Sequence, residues 1–469
     1  MSVTTEADPV PAHQAEAAGS AQTDASAASA APAAAAPTVP LRRNVNFQLL
    51  WAGSSAAFIG IAVADIAYPL VILAMTHSPF KAGLFATVQL IAMLVTTLPA
   101  GQLLDKVDRR LALLGTELVR AVVVAGVAVA WYLDALTFWQ LMGTAAVLGA
   151  VQPFGAARML MVRTVVPSEQ LTSAFTQEQV RDHGSQLVGP PLGGALYAVS
   201  RSLPFVVAAA TFLVSFACAF FVKLPPKAAA QPAAPADGES VKDTEGAATT
   251  PPADEIGGGM FAGLGVVLRN PLMRATTLTL TIVNAVGFPL YLALIVLLQQ
   301  EHQSSSSIGV VFGTMSAGGL LGTLLVKPSH RMLRPGWLLI AACGVFTVCV
   351  GVLPLVSDPY STAALLFVAN LVIPAAVVMI DILIVRQVPD EQRGRVGAAI
   401  QTLMALGMPA GMLIGGAALQ YFSPTTVLAV MAAWMAVSLV YAVCQRALRD
   451  AQWPTDAQPA LVAEAVPSA

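Results

Sequence analysis

The chain is poor in charge. Only 11% of its 469 residues are Asp, Glu, Lys or Arg, against about 25% in soluble globular domains. That scarcity excludes a solvated surface over most of the length. No Gly-Lys-Ser or Gly-Lys-Thr occurs anywhere, so the phosphate-cradling loop of a nucleotide-driven motor is missing. The four cysteines, Cys218, Cys343, Cys349 and Cys444, lie in apolar stretches without metal-site spacing and read as small buried hydrophobes. The histidines and acids form no metal-ligand cluster, and no nucleophile–base set stands in a plausible site. Neither an enzyme, a cofactor nor a nucleic-acid partner is expected.

What is there is hydrophobicity. The chain is 56% apolar with a mean hydropathy of +0.72, which places it among multi-pass membrane proteins. Twelve apolar segments are long enough to cross a bilayer, for which about 20 residues suffice. They run over 47–75, 81–104, 111–133, 137–160, 171–199, 203–222, 273–298, 308–326, 336–356, 362–385, 396–421 and 425–444. The expected fold is therefore all-α, with twelve transmembrane helices. Residues 1–40, 225–258 and 449–469 are rich in Ala, Pro, Gly and acids, cannot bury a core and are expected to be disordered. The middle stretch reads as a flexible linker between an N-terminal half, 41–224, and a C-terminal half, 259–448. The short apolar stretch from Met260 to Arg269 is expected on the membrane surface. No basic segment followed by an apolar core precedes the first span, so no cleaved leader is expected. Of the 24 Lys and Arg, 19 fall on the side shared by the termini, only Lys81 and Arg201 fall opposite, and Arg120, Arg158 and Arg181 lie within spans. Positive residues stay in the cytoplasm, so both termini are expected there, in a protein of the cytoplasmic membrane.

The two halves repeat each other. Tyr68-Pro69-Leu70 matches Phe288-Pro289-Leu290 at a spacing of 220 residues, and Gly101-Gln-Leu-Leu matches Gly322-Thr-Leu-Leu at 221. Val166-Pro167 matches Val388-Pro389, and Gly189, Gly193 and Gly194 match Gly411, Gly415 and Gly416, all at 222. A nearly constant spacing over four separate pieces implies two pseudo-symmetric six-helix halves. The copies are not equivalent: Val326 stands where Asp105 would map, and His330 and Arg331 replace the paired arginines.

A charged knot, Gly101 to Arg110, separates the second and third spans. Gly101 permits close helix approach. Asp105 stands where its helix leaves the bilayer, and Arg109 and Arg110 follow. This pattern resembles the loop between helices 2 and 3 of the major facilitator superfamily. From about Arg42 to Leu448 the chain is similar to the drug and siderophore exporter branch of that family, which includes enterobactin exporters and macrolide or multidrug efflux pumps. The likeness rests on Leu98-Pro-Ala-Gly101 with the charged knot, Thr116-Glu117-Leu-Val-Arg120-Ala, Arg158 followed by Val166-Pro167-Ser-Glu-Gln-Leu171, and Arg393-Gly394-Arg395-Val396. Gly189-Pro190-Pro-Leu-Gly193-Gly194 matches the core of the family's antiporter motif, although Thr176 and Ser185 replace its earlier glycines. The branch's acid after a helix 1 glycine is absent, because Ile61 follows Gly60 and the nearest acid is Asp65.

Charges within spans are costly and tend to face a bundle interior or a cavity. Asp65 stands well inside the first span and, with Asp182, is a proton-coupling candidate, Asp65 ranking first. Glu117 and Arg120 share a face of the third span and read either as coupling residues or as a structural bridge. Glu178, Arg181 and Asp182 cluster on the fifth span, with Asp182 about 15 Å from its start at 1.5 Å per residue. Asp381 reads as an interfacial acid. Asn284, Phe288, Tyr291 and Asn370 are candidate cavity residues, since the resemblance implies that helices 1, 4, 7 and 10 surround the site. The Gly-x-x-x-Gly pairs at 189/193, 309/313, 318/322 and 411/415 read as close helix contacts. Together these imply a monomeric secondary transporter in the lipid bilayer. It would export small, mostly apolar organic molecules by proton antiport, with the charged knot locking the cytoplasmic side. An importer or lipid flippase on the same fold, or a non-transporting membrane sensor or scaffold, is the alternative.

Overall fold

The computed structural model of the protein describes residues 40–453 apart from 168–169, 224–263, 266, 357, 388–389 and 452. The expectations for residues 1–39, for the 225–258 linker, for 454–469 and for the side chain of Asp381 fall outside what is described. Apolar runs become helices in chain order: α1 (Val45–Thr76), α2 (Pro79–Lys106), α3 (Arg109–Tyr132), α4 (Phe138–Val151), α5 (Ala156–Val165), α6 (Leu171–Val199) and α7 (Leu203–Phe221). The second series is α8 (Pro271–Gln300), α9 (Ser305–Met332), α10 (Pro335–Val352), α11 (Pro359–Leu371), α12 (Ile373–Gln387), α13 (Asp390–Tyr421), α14 (Pro424–Cys444) and α15 (Arg446–Arg449). With α4–α5 and α11–α12 each counted as one, eleven helices among the described residues are long and apolar enough to cross a membrane. The twelfth helix of the bundle, α6, is 29 residues long; its first half is too polar for that count.

Several helices begin a few residues before their apolar run, because capping residues and prolines sit there. Ser78, Asn270, Ser304 and Ser423 each accept a first-turn backbone N–H, and a proline follows Ser78, Asn270 and Ser423 directly. Thr137 and Gln140 form a reciprocal capping box on α4. Asp358 caps α11, and the Ser361 backbone N–H and hydroxyl hold its carboxyl below the usual carboxylate range.

The charged stretch 101–110 is less of a loop than its composition suggests. Helix α2 continues through Lys106, only Val107 and Asp108 intervene, and Asp108 caps α3 by accepting from the Arg110 N–H at 2.8 Å. Spans four and ten, expected as continuous helices, are each broken midway. A 3-10 turn over Gln152–Gly155 interrupts the fourth, and the tenth breaks at Val372. Pro153 and Pro374 stand at these breaks, 221 residues apart, and a proline removes one N–H from the helix ladder. The short segment before α8 is helical at 264–265 and 267–269, with Val267 buried in a cluster with Val396 and Ile400. Beyond α15, where disorder was expected, the Trp453 indole donates to the Leu333 carbonyl at 2.9 Å and its ring faces His330. Cys444, expected buried, is exposed on the outer face of α14.

Glycines set the helix seams. A Cβ on Gly189 or Gly193 would collide with Ala62, Ile66 or Val63 of α1. One on Gly411 or Gly415 would collide with Ala285 or Pro289 of α8, and one on Gly318 or Gly322 with Phe367 or Leu371 of α11. Two further seams join the halves: Gly194 meets Ser305 and Gly309, and Gly83 meets Met412 and Gly416. Both lie toward the end of the bundle opposite the termini, called the far side below. There Ser78 also donates to the Gln420 side chain at 2.6 Å.

Candidate functional site

Above those seams the halves part. A cavity of about 960 Å³ lies between them and extends along Gly397, Ile400 and Gln401 toward the near side, where the termini lie. The glycine and hydrogen-bond contacts described between the halves close the far side, and the cavity extends from them toward the near side. All four expected cavity residues, Asn284, Phe288, Tyr291 and Asn370, line it. Asp65 lines it as well, and is the only charged side chain among the described lining residues. Asp65 is accessible to solvent although it sits deep in the bundle. The two statements agree because its exposure is to the cavity and not to the outside.

Local sequence explains how these groups arrive there. Tyr68, one turn beyond Asp65 on α1, is 2% exposed, and its ring packs on Phe85 and Phe205 with centroids 4.7 and 5.0 Å away. Tyr291, on the pseudo-equivalent α8, stacks on Phe312 at 3.8 Å. Both tyrosines are close enough to Asp65 to interact with it electrostatically, and so is Arg120. A side chamber of about 30 Å³, lined in part by Asp65, Gln89, Arg120 and Gln152, adjoins the main cavity. That volume holds about one water molecule. The amides Gln89, Gln152, Gln186 and Gln401 also face the main cavity and were missed from sequence. Isolated amides inside apolar spans were the available signal. So were the paired prolines at the repeat spacing, since broken helices in matching positions mark the midplane site of many transporters.

The other intramembrane charges form a separate network on the near side of the cavity. Glu117 is fully buried, and its closest cation is not Arg120 on its own helix, at 3.6 Å, but Arg158 of α5, at 2.8 Å. Arg158 also donates to the Ser215 hydroxyl of α7 at 2.8 Å. Sequence placed Glu117 beside Arg120 by helical spacing; the stronger partner comes from across the bundle. Arg181 pairs with both Glu178 and Asp182 and lies over the Phe58 ring at 4.8 Å. Asp182 is half-exposed and bound to Arg181, and it does not line the main cavity. Asp105 is exposed and makes no hydrogen bond or ion pair with the described residues, whereas Arg110 donates to the Phe220 carbonyl and Arg109 starts α3 in an exposed position. Gly101 makes no close helix contact in this conformation. Pro190 and Pro191 line the α6 seam with Gly309 and Gly313.

A buried ion pair is expensive to break from one side, about 3–5 kcal/mol, because the remaining charge stays uncompensated. Arg158→Met should therefore lower the thermal stability of the purified protein sharply. The double variant Arg158→Met with Glu117→Leu should recover much of the loss. Equal midpoints for wild type and Arg158→Met would show that the pair does not hold α3 to α5.

The sequence profile of the Major Facilitator Superfamily matches residues 50–380. The multidrug efflux pump Tap of Mycolicibacterium fortuitum is 24% identical over 385 residues, covering 79% of this chain and 87% of that pump. The MFS-type transporter YfiS of Bacillus subtilis is 26% identical over 354 residues, covering 74% and 76%. Among solved structures, a bacterial homologue of the lysosomal transporter Spinster in its inward-facing, unoccupied conformation is similar with a TM-score of 0.66 at 13% identity, over 88% of this chain and 99% of that one. A bacterial homologue of ferroportin, also inward-facing, has a TM-score of 0.63 at 16% identity, over 86% and 98%. Fold, repeat and profile agree: the chain belongs to the Major Facilitator Superfamily and is a membrane transporter, not an enzyme.

Proposed function

We propose that the protein exports small, mostly apolar organic molecules across the cytoplasmic membrane, in exchange for protons. The observation that carries this reading is the Asp65 carboxylate, the one charged group among the described residues lining a large cavity between two helix bundles. An exporter must release one ligand and take up another at the same place on opposite faces, and a lone acid in a cavity can carry a proton in one half of that cycle. Similarity to the Tap pump favours drug-like cargo; a siderophore-like natural product is the other cargo that the family resemblance implies. With the termini in the cytoplasm, the conformation described is the loading state. The halves 41–224 and 259–448 then rock about the site, and the protein works as a monomer.

In this reading the network around Glu117, Arg120 and Arg158 is the rigid frame of the first half. The Glu178–Arg181–Asp182 cluster is its gate-side edge, and Asp182 is the secondary coupling candidate. Asp105, Arg109 and Arg110, with Gly101, are the cytoplasmic gate. Asp105 has no hydrogen-bond or ion-pair partner among the described residues, which fits a contact made only after closure. The seam at Gly189, Pro190, Gly193 and Gly194 is the far-side hinge line, matching the antiporter-like motif.

Two variants test this. In proteoliposomes with an imposed pH gradient and a panel of neutral and charged fluorescent dyes, Asp65→Asn should abolish uphill transport and retain downhill exchange. If Asp65→Asn and Asp182→Asn both still concentrate dye in response to the gradient, neither is the coupling acid. Asp105→Asn removes one charge-assisted contact from the closed state, about 1.5–3 kcal/mol. That changes the balance of states by roughly tenfold or more. Export should fall while expression stays normal; unchanged export would remove Asp105 from the gate.

A further inference from the structure

The second half lacks the charged knot of the first, and the last described residues of the chain stand in its place. Val326 occupies the position of Asp105, and His330 and Arg331 those of Arg109 and Arg110. In the first half Arg110 lies over the Phe220 ring of α7, 5.6 Å away, and donates to the Phe220 carbonyl. In the second half the aromatic that meets the equivalent turn, between α9 and α10, is Trp453, which follows α15. Each half thus secures this turn with an aromatic ring from its own C-terminal end, on an arginine in one case and on a histidine in the other.

Residues 446–453 turn back onto the near-side face of the second half. Leu448 is 1% exposed and shares a buried cluster with Leu338 and Leu339 of α10. Gly336, on the first turn of α10, lies so close to the Leu448 carbonyl that any Cβ there would collide with it. Ala451 is buried as well. The Trp453 indole donates to the carbonyl of Leu333, the residue that ends α9, at 2.9 Å. A carbonyl at a helix end has no partner within its own helix, so the indole supplies one. The same ring faces His330 with centroids 4.7 Å apart.

His330 connects this segment to the cavity. Its Nε2 lies 3.0 Å from the Ala375 carbonyl of α12. A carbonyl only accepts, so Nε2 carries a proton and donates it. Ala375 is buried, while its neighbours Ala376 and Val377, with Ile380 one turn on, line the cavity. Helix α12 begins after the break at Val372, and Pro374 offers no N–H to the turn before it. A wall of the cavity is therefore a helix segment separated from α11 and tied from behind by His330.

We infer that residues 446–453 form a strap that controls the α12 wall of the cavity: Trp453 fixes the His330 ring, and His330 fixes α12 through the Ala375 carbonyl. The strap is short, and its last link is one N–H bond and one ring contact, so it opens more readily than the bundle beneath it. With the strap seated, α12 is held against α9. With the strap released, α12 is free to move at the break. The inference concerns the cavity wall and is independent of the cargo and of the coupling ion.

Amide hydrogen exchange of the full-length protein in detergent tests this. Trp453→Ala should speed exchange at 375–380 by roughly tenfold, the worth of about one hydrogen bond, and leave α1 and α6 unchanged. Trp453→Phe keeps a ring and loses the N–H, and should give a smaller increase. His330→Ala should give the same increase at 375–380 as Trp453→Ala. The double variant of Trp453→Ala with His330→Ala should exceed neither alone. Additive increases would show two separate tethers and overturn the relay. Faster exchange confined to 446–453 and the α9–α10 turn, with 375–380 unchanged, would overturn the strap's hold on the cavity wall. So would faster exchange spread through α1 and α6, which would mark a general loss of stability. If Trp453→Ala elutes as aggregate, Trp453→Phe and its double variant with His330→Ala are read by the same criteria.

Discussion

Apolar side chains gain little by leaving lipid for a neighbouring helix, so this bundle depends on how closely its backbones can approach. Helix α6 shows the constraint. Gly189 and Gly193 seat it on α1, while the adjacent Gly194 seats it on α9 of the other half. The matching glycines of α13 do the same in the same order: Gly411 and Gly415 meet α8, and Gly416 meets Gly83 of α2. One glycine cluster per half therefore serves two seams, one inside the half and one between halves. Among the described residues the glycine seams between halves lie toward the far side.

Charge obeys a different rule. Glu117, Arg120, Arg158, Glu178, Arg181 and Asp182 are tied to one another or to ring faces within the first half. Buried ions of this kind are tolerated when mutually paired, and they oppose loosening because one-sided loss is so costly. Asp65 differs. Its cation, Arg120, is shared with Glu117, and its open side faces a cavity into which ligands can enter. The division separates one carboxylate facing the cavity from charges paired within the half.

Much of this architecture was legible in the sequence because hydrophobic run length and the repeat spacing are both one-dimensional signals. The span positions follow from them, the seams at 189/193 and 411/415 from Gly-x-x-x-Gly spacing, and the cavity positions of Asn284, Phe288, Tyr291 and Asn370 from the family resemblance. What was hidden depends on which side chains cross the bundle. Arg158 reaches Glu117 from 41 residues away, although helical spacing pointed to Arg120. The breaks at Gln152 and Val372 were masked by hydrophobicity that runs through them. The charged stretch at 101–110 reads as a loop by composition, yet most of it extends α2 and starts α3, because polar residues outside the hydrocarbon continue a helix at no cost. Asp182 shares its helix with Arg181, and sequence alone could not tell a cavity acid from one held by its neighbour.

If the two halves rock about Asp65, the far seam opens as the near mouth closes. Spin-label distances across the α2–α13 interface test it directly, with one pair at Phe80 and Tyr421 on the far side and another at Leu103 and Gly397 on the near side. The account predicts opposed changes as pH is varied: populations with a longer far distance have a shorter near distance, and Asp65→Asn removes the pH dependence. A near distance that stays fixed while the far one changes, or two distances that lengthen together, would contradict it.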